Sequence, residues 1–298
     1  MNSWGQVDEP PNSQKKTIDH QFELKHDNDF LIFTDRYYSS GSFISYRWLA
    51  KNKKDSLNNR QHGLYLSQEI YTPSDNKTTN INNFDRPYAG FLGFHYQYSI
   101  ANPVRMFKFE YVIGFTGKMS GASGLQSLFH SSVAVNSSIA PWTGQINNGI
   151  INNLYFGYIR EWKLQDNPFS FHISAGPTIA FGTKDIYLQN EMGVYVGKRN
   201  TMNASLAYDQ ISVTNNELFF SLILAHRYVV HDTLLEGNLT GDSSEVLRDP
   251  YQNLYIFKLG IYYRLNRNGF KIIYNYESSE TERTEPHAYF TMSIARSF

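Results

Sequence analysis

A chain of 298 residues without cysteine has no disulfide to staple it and no cysteine-ligated metal site. Basic and acidic residues balance at 27 each, which removes any general electrostatic pull towards nucleic acid. Aromatic residues make up 16% of the chain, yet no run approaches the roughly 18 apolar residues of a helical membrane span, so a helical membrane protein is excluded.

Read in chain order, the apolar residues alternate with polar ones. Strands are predicted near 21–33, 42–49, 62–71, 89–100, 104–116, 151–162, 168–181, 185–197, 217–231, 252–265, 269–278 and 287–298. Leu92, Phe94, Tyr96, Tyr98 and Ile100 alternate with Gly93, His95, Gln97 and Ser99. Across the turn Ala101-Asn102-Pro103, Phe107, Phe109 and Tyr111 alternate with Lys108 and Glu110. Such strands exceed the usual 5–6 residues of a soluble sheet and suit a tilted crossing of about 9–11 residues. Lys108 and Glu110 then belong in a wet, self-paired interior. The last strand carries Ile294, Met292 and Phe290 on one face and Ser297, Ala295, Ser293 and Thr291 on the other, and ends on Phe298.

The expected fold is all-β: a transmembrane antiparallel β-barrel of outer-membrane type, with twelve strands. Residues 1–19 read as a polar tail and 20–298 as one barrel domain; 1–11 do not read as a signal peptide. Residues 200–212 are strand-like, but a thirteenth strand would reverse the closing strand, so they are taken as a connector. Parity with both termini periplasmic places the turns 101–103 and 266–268 on the inner rim and the segments 72–88, 117–150 and 232–251 on the outer one.

Four clusters exceed what a wall needs. His26-Asp27-Asn28-Asp29, followed by Thr34 to Gly41, offers oxygen donors to a hard cation such as calcium, or is an ordinary polar turn. Gln68 to Lys77 brings a cation that suits a phosphate or a developing oxyanion. Asp85-Arg86-Pro87-Tyr88-Ala89-Gly90 reads as a loop tie rather than reactive chemistry. Gly121 to His130 ends on a lone histidine, a general base or an incidental polar residue. All four fall on the outer rim, where a rigid barrel carries function. Neither a Gly-x-Ser-x-Gly elbow nor a His-Glu-x-x-His zinc motif is present.

Together with Trp142 and Gln145, these stretches resemble the outer-membrane lipid A 3-O-deacylase family, by motif in the first half of the chain and in barrel style in the second. The resemblance implies a calcium-dependent esterase that removes the 3'-acyloxyacyl group of lipid A. It implies His130 as the base that activates water, and Asn28 and Asp29 as paired residues near the calcium and the scissile ester. It further implies Ser39 as a hydroxyl where the family commonly has threonine, and Lys77 as the site lysine. Where the family often supplies a glutamate to calcium, this chain has Asn136, Asn147 and Asn148, which implies an altered ligand set or weakened activity. The implied partners are lipopolysaccharide and outer-membrane lipid, in a monomer whose site faces the outer leaflet of a Gram-negative outer membrane. The alternatives are an inactive or porin-like barrel of the same fold, or a phospholipase-type barrel with Ser39 as nucleophile.

Overall fold

The computed structural model describes residues 18–29, 36–50, 58–132, 140–165, 169–211 and 216–298, and only the backbone of Phe129, His130 and Ser132. Its strands are β1 His20–Asn28, β2 Tyr37–Leu49, β3 Asn59–Thr72, β4 Ala89–Ala101, β5 Arg105–Thr116 and β6 Gly149–Gln165. The second half supplies β7 Ser170–Gly182, β8 Asp185–Lys198, β9 Glu217–Asp232, β10 Asn253–Leu265, β11 Asn268–Glu277 and β12 His287–Ser297. Each pairs with its neighbours in sequence, and β1 pairs with β12, so the sheet closes into a twelve-stranded antiparallel barrel. Closure leaves no unpaired edge. At the seam, His20 and Phe298 exchange backbone hydrogen bonds of 3.1 and 2.9 Å, and their rings stack at 5.9 Å.

Alternation decides which way each side chain points. On β12, Ile294 and Met292 face outward, while Ser293, Ala295 and Ser297 are buried inward. On β5, Phe107 and Tyr111 face outward and Glu110 inward, where it sits 3.5 Å from Lys108 and 3.0 Å from His95. Tyr65 also donates to Glu110, so the interior carboxylate is fully partnered. This is the self-paired interior expected of Lys108 and Glu110. The outer face is a continuous apolar wall that includes Phe22, Leu24, Ile44, Leu64, Leu66 and Phe94, as contact with lipid requires.

The start of β1, the end of β12 and the short turns 102–104 and 266–267 lie at one rim, here the terminal rim. The opposite, loop rim carries the segments after β1, β3, β5, β9 and β11, and also the two-residue turn between β7 and β8. The first strand stops at Asn28 rather than running on to 33, and residues 30–33 lie outside the described set.

Residues 200–211 do not form a strand. They make 3-10 turns at Met202–Ala204 and Leu206–Tyr208, and the segment folds back into the lumen at the terminal rim. Arg264 donates to the carbonyls of Ala204 (2.7 Å) and Gln210 (3.0 Å), and Gln61 Nε2 donates to that of Asp209 (2.9 Å). Met202, Leu206 and Tyr208 pack with Met106, Phe219 and Tyr262 into an apolar cluster inside the barrel. Asp209 also joins Lys271, which bridges to Glu23 at 3.0 Å. The connector is therefore a plug. Above it lies a cavity of about 390 Å³ lined by charged residues and tyrosines, among them Glu23, Arg47, Tyr65, Lys108, Glu110 and Lys271.

Candidate functional site on the outer wall

After β5 the chain turns outward through a 3-10 turn, Gly117–Ser120, into helix α1, Ala122–Ser132. On β4, Phe91, Gly93 and His95 point inward, so Gly90 faces outward by alternation. A Cβ placed on Gly90 would stand 2.3 Å from both the Ala122 Cβ and the Ser120 Oγ. Only a glycine lets the helix lie this close. Helix α1 therefore rests on the outside of the wall, over β4 and β3, and not in the lumen.

A wrap of loops holds the helix. Trp142 Nε1 donates to Gln126 Oε1 at 2.6 Å, and the Trp142 ring stacks on Tyr88 at 5.2 Å. Tyr88 packs with Phe84, Ala140 and Val246. The Asp85-Arg86 pair is the tie that its sequence suggests. Asp85 accepts from the Tyr37 hydroxyl (2.9 Å) and from the backbone N–H groups of Ser74 and Arg86 (3.0 Å each). Arg86, 1% exposed, donates to Glu280 at 2.5 Å and lies over the Tyr71 ring at 4.5 Å. Loops 73–88 and 278–286 are thus bolted together beside the start of β2.

Along the same outer face, beyond β3, stand the predicted residues. Phe22, Leu24 and His26 are exposed on the outside of β1, so Asn28 continues that row at the strand's end, opposite Ser40 on β2. The β2–β3 register slips between Tyr38 and Ser40, which makes Ser39 the extra residue of a β-bulge. Tyr38 and Gly41 point inward, the Tyr38 hydroxyl bonding Asp27 at 2.8 Å, so Ser39 and Ser40 are left on the outer side. Asp29, 2% exposed, follows the strand and accepts the Arg36 N–H at 3.0 Å. Asn28, Asp29 and Ser39 thus meet at one corner of the wall.

The other two are placed on the same rim. His130 lies eight residues along α1 from Ala122, about 12 Å of helix, on an element that reaches from β4 across β3, the strand next to β2. Its side chain lies outside the described set. Lys77 is exposed in the loop between β3 and β4, where its N–H donates to Asp75 Oδ1 at 3.2 Å. Tyr88 steadies that turn by donating to the Asn76 carbonyl at 2.9 Å. Thr34 and Asn136 lie outside the described residues.

Asn147 and Asn148, which stand where the resemblance expects a calcium glutamate, are engaged elsewhere. Asn147 Nδ2 donates to Asp242 Oδ1 at 3.0 Å, and Asn148 Oδ1 accepts the Met119 N–H at 3.0 Å. Asp29 and Asn28 do bring a carboxylate and an amide oxygen, donors of the hard kind that calcium takes. Among the described residues no group of three or more His, Asp or Glu side chains surrounds a single point. Among the described residues, Asp29 and Asn28 are the oxygen donors that this corner offers to a cation.

Sequence reasoning missed the next rung down. His26 Nδ1 and Ser42 Oγ lie 3.1 Å apart on the outer face, beside Gln68 of β3. Among the described residues, Ser42 is the outward-facing serine beside a histidine, while Ser67 meets His95 at 2.9 Å inside the barrel. Outward parity of His26 after Phe22 and Leu24 was the available signal.

The profile of the family described as "Outer membrane protein LpxR" matches residues 5–298. In three dimensions the chain is similar to LpxR from Salmonella typhimurium, with a TM-score of 0.78 at 16% identity, covering 93% of this chain and 100% of that one. It is also similar to the β domain of the Bordetella autotransporter BrkA, with a TM-score of 0.50 at 9% identity, covering 94% of this chain and 99% of that one. Among curated proteins, none matches the chain in sequence.

Proposed function

The chain belongs to the LpxR family of outer membrane proteins, and on that premise we propose that it hydrolyses an ester of lipid A from within the membrane, releasing the 3'-acyloxyacyl group. One observation carries the reading. The corner formed by Asn28, Asp29 and Ser39 lies on the outside of the wall, beside a helix seated there by Gly90. A site so placed opens sideways to lipid, whereas an enzyme for soluble substrates or a pore would use the lumen. The plug at residues 200–211 also argues against the porin-like alternative.

The proposed chemistry is attack by water on the ester carbonyl. His130 accepts a proton from the water as the new C–O bond forms. The acyl–oxygen bond then breaks, and the proton passes to the departing sugar alkoxide, which leaves as a hydroxyl beside the free carboxylic acid. On this reading the Asn28 amide and the Ser39 hydroxyl hydrogen-bond the ester group, and Lys77 suits a phosphate or the oxyanion. Asp29 and Asn28 would hold a calcium ion, which would supply Lewis-acid polarisation of the carbonyl. With the termini periplasmic, the loop rim meets the outer leaflet of a Gram-negative outer membrane.

The test is deacylation of purified lipopolysaccharide by the folded barrel after chelation, then with calcium or magnesium restored. Product that returns with calcium alone supports the reading. Product undiminished by exhaustive chelation contradicts the calcium requirement.

A further inference from the structure

The His26–Ser42 contact has no place in the chemistry above. Both side chains are exposed on the outer face, and the register sets His26 between Ser42 of β2 and Met292 of β12. Polar side chains facing hydrocarbon are costly unless paired, and this couple meets part of that cost at 3.1 Å. It sits two residues below Asn28 on the same face, about 7 Å along the strand.

From this couple a groove of about 510 Å³ runs across β2, β1, β12 and β11, lined on its outer side by Leu24, Ile44, Phe270, Ile272, Met292 and Ile294. A second furrow of the wall makes a useful contrast. It measures about 300 Å³, reaches from Ile100 and Phe107, near the terminal rim, to Phe156 and Ile179, and adjoins neither a His–Ser couple nor the α1 corner. A corrugated wall explains the second furrow. The first is distinguished by its polar head, which stands two residues from Asn28 on the same face.

We propose, resting on the deacylase reading, that this groove seats one acyl chain of the lipid substrate. At its head, His26 and Ser42 hydrogen-bond a polar group near the chain's carboxyl end, a hydroxyl or an ester oxygen. The occupant has to be hydrocarbon, because the groove faces lipid and its floor is aliphatic and aromatic. Its polar group has to lie near the ester, because the couple stands one strand repeat from Asn28. The couple is a specificity device: a site built to hydrogen-bond a substituent disfavours the chain that lacks it.

The absence of cysteine makes the test clean. Met292→Cys in the groove and Ile179→Cys in the second furrow are each compared before and after coupling to a bulky maleimide. Coupling at Met292→Cys is expected to lower kcat/KM on lipid A at least tenfold, and coupling at Ile179→Cys to leave it unchanged. Ser42→Ala is expected to reduce the preference for hydroxyacyl over plain acyl esters about tenfold, through KM rather than kcat. Equal effects of the two labels, or a collapse of kcat for every ester in Ser42→Ala, would overturn the proposal. A readout independent of turnover is photolabelling by lipid A with a diazirine in an acyl chain. Enrichment on β1, β2 and β12 over β7 supports the groove even if lipid A is not hydrolysed. Even labelling around the barrel, or barrel dimers joined through Met292→Cys in its place, sinks it. A protein that labels selectively but releases no acyl chain refutes the deacylase reading alone.

Discussion

Gly90 of β4 and Ala122 of α1 touch across the outer wall of the barrel, so closely that a Cβ on the glycine would lie 2.3 Å from that of the alanine. The contact sets the height of the helix that carries His130. Gly90→Val must lift or shift α1 while leaving the inward faces of β4 intact. The expected result is at least a tenfold loss of hydrolysis, with the heat-resistant folded band on a gel preserved. Full activity in that variant would show that the helix position does not matter.

Arg86 and Glu280 bolt two loops together under cover of protein. Arg86→Ala leaves the half-buried glutamate without its main partner, a loss that costs up to about 3–5 kcal/mol at fully buried sites. Burial already pushes the Glu280 carboxyl above the usual range and Glu277 adds to it, with Arg86 and Arg227 opposing. A folded-state pKa raised above the unfolded one gives stability that is full below the unfolded value and lost as pH rises through the folded one. Removing Arg86 enlarges that loss. Denaturation of Arg86→Ala should therefore show a larger deficit at neutral pH than near pH 4, and Glu280→Gln in the same background should level the two. A deficit independent of pH would contradict the assignment.

Asp242 works in the opposite sense. Burial nudges its carboxyl upward, but the Ser244 hydroxyl, the N–H groups of Asn238 and Ser244, and the Asn147 amide outweigh that and hold it low. A depressed carboxyl contributes stability above its unfolded pKa that is lost as pH falls through the folded one. Hydrogen exchange of the amides of Asn238, Asn147 and Ser244 should accelerate as pH drops below about 4, the ordinary carboxylate range, after correction for intrinsic exchange. Asp242→Asn should show the faster exchange already at neutral pH. Unchanged protection in that variant would remove Asp242 as the loop's anchor.

The plug makes a prediction about conduction. Arg264, Gln61 and Lys271 hold residues 204–211 in the lumen, so the protein in a planar bilayer should show no steady ion current. Replacing 200–211 by a Gly-Ser linker should open one. Steady conductance by the unaltered protein would restore the porin-like reading.

Much of this architecture is written in the alternation. Lys108 and Glu110 pointed to a paired interior, Ile294 and Met292 to an outer wall, and parity brought Asn28, Lys77 and His130 to one rim. Three features were beyond local pattern. The bulge that turns Ser39 outward depends on a register slip against β3, which a single strand does not encode. Residues 200–212 look strand-like because they must be apolar enough to pack inside a barrel. Met202, Ala204, Leu206 and Tyr208 even keep a period of two, and only Ile211 falls out of it, so alternation there does not separate a plug from a strand. The placement of α1 outside the wall rests on a missing side chain at Gly90, and a glycine in a strand says only that something comes close.

The central claim is tested most directly by mass spectrometry of lipid A after incubation with the folded protein and with its His130→Ala variant. The account predicts loss of one acyloxyacyl mass with the unaltered protein and none with the variant, both barrels remaining folded. Lipid A of unchanged mass with the unaltered protein, or the same product from His130→Ala, would contradict it.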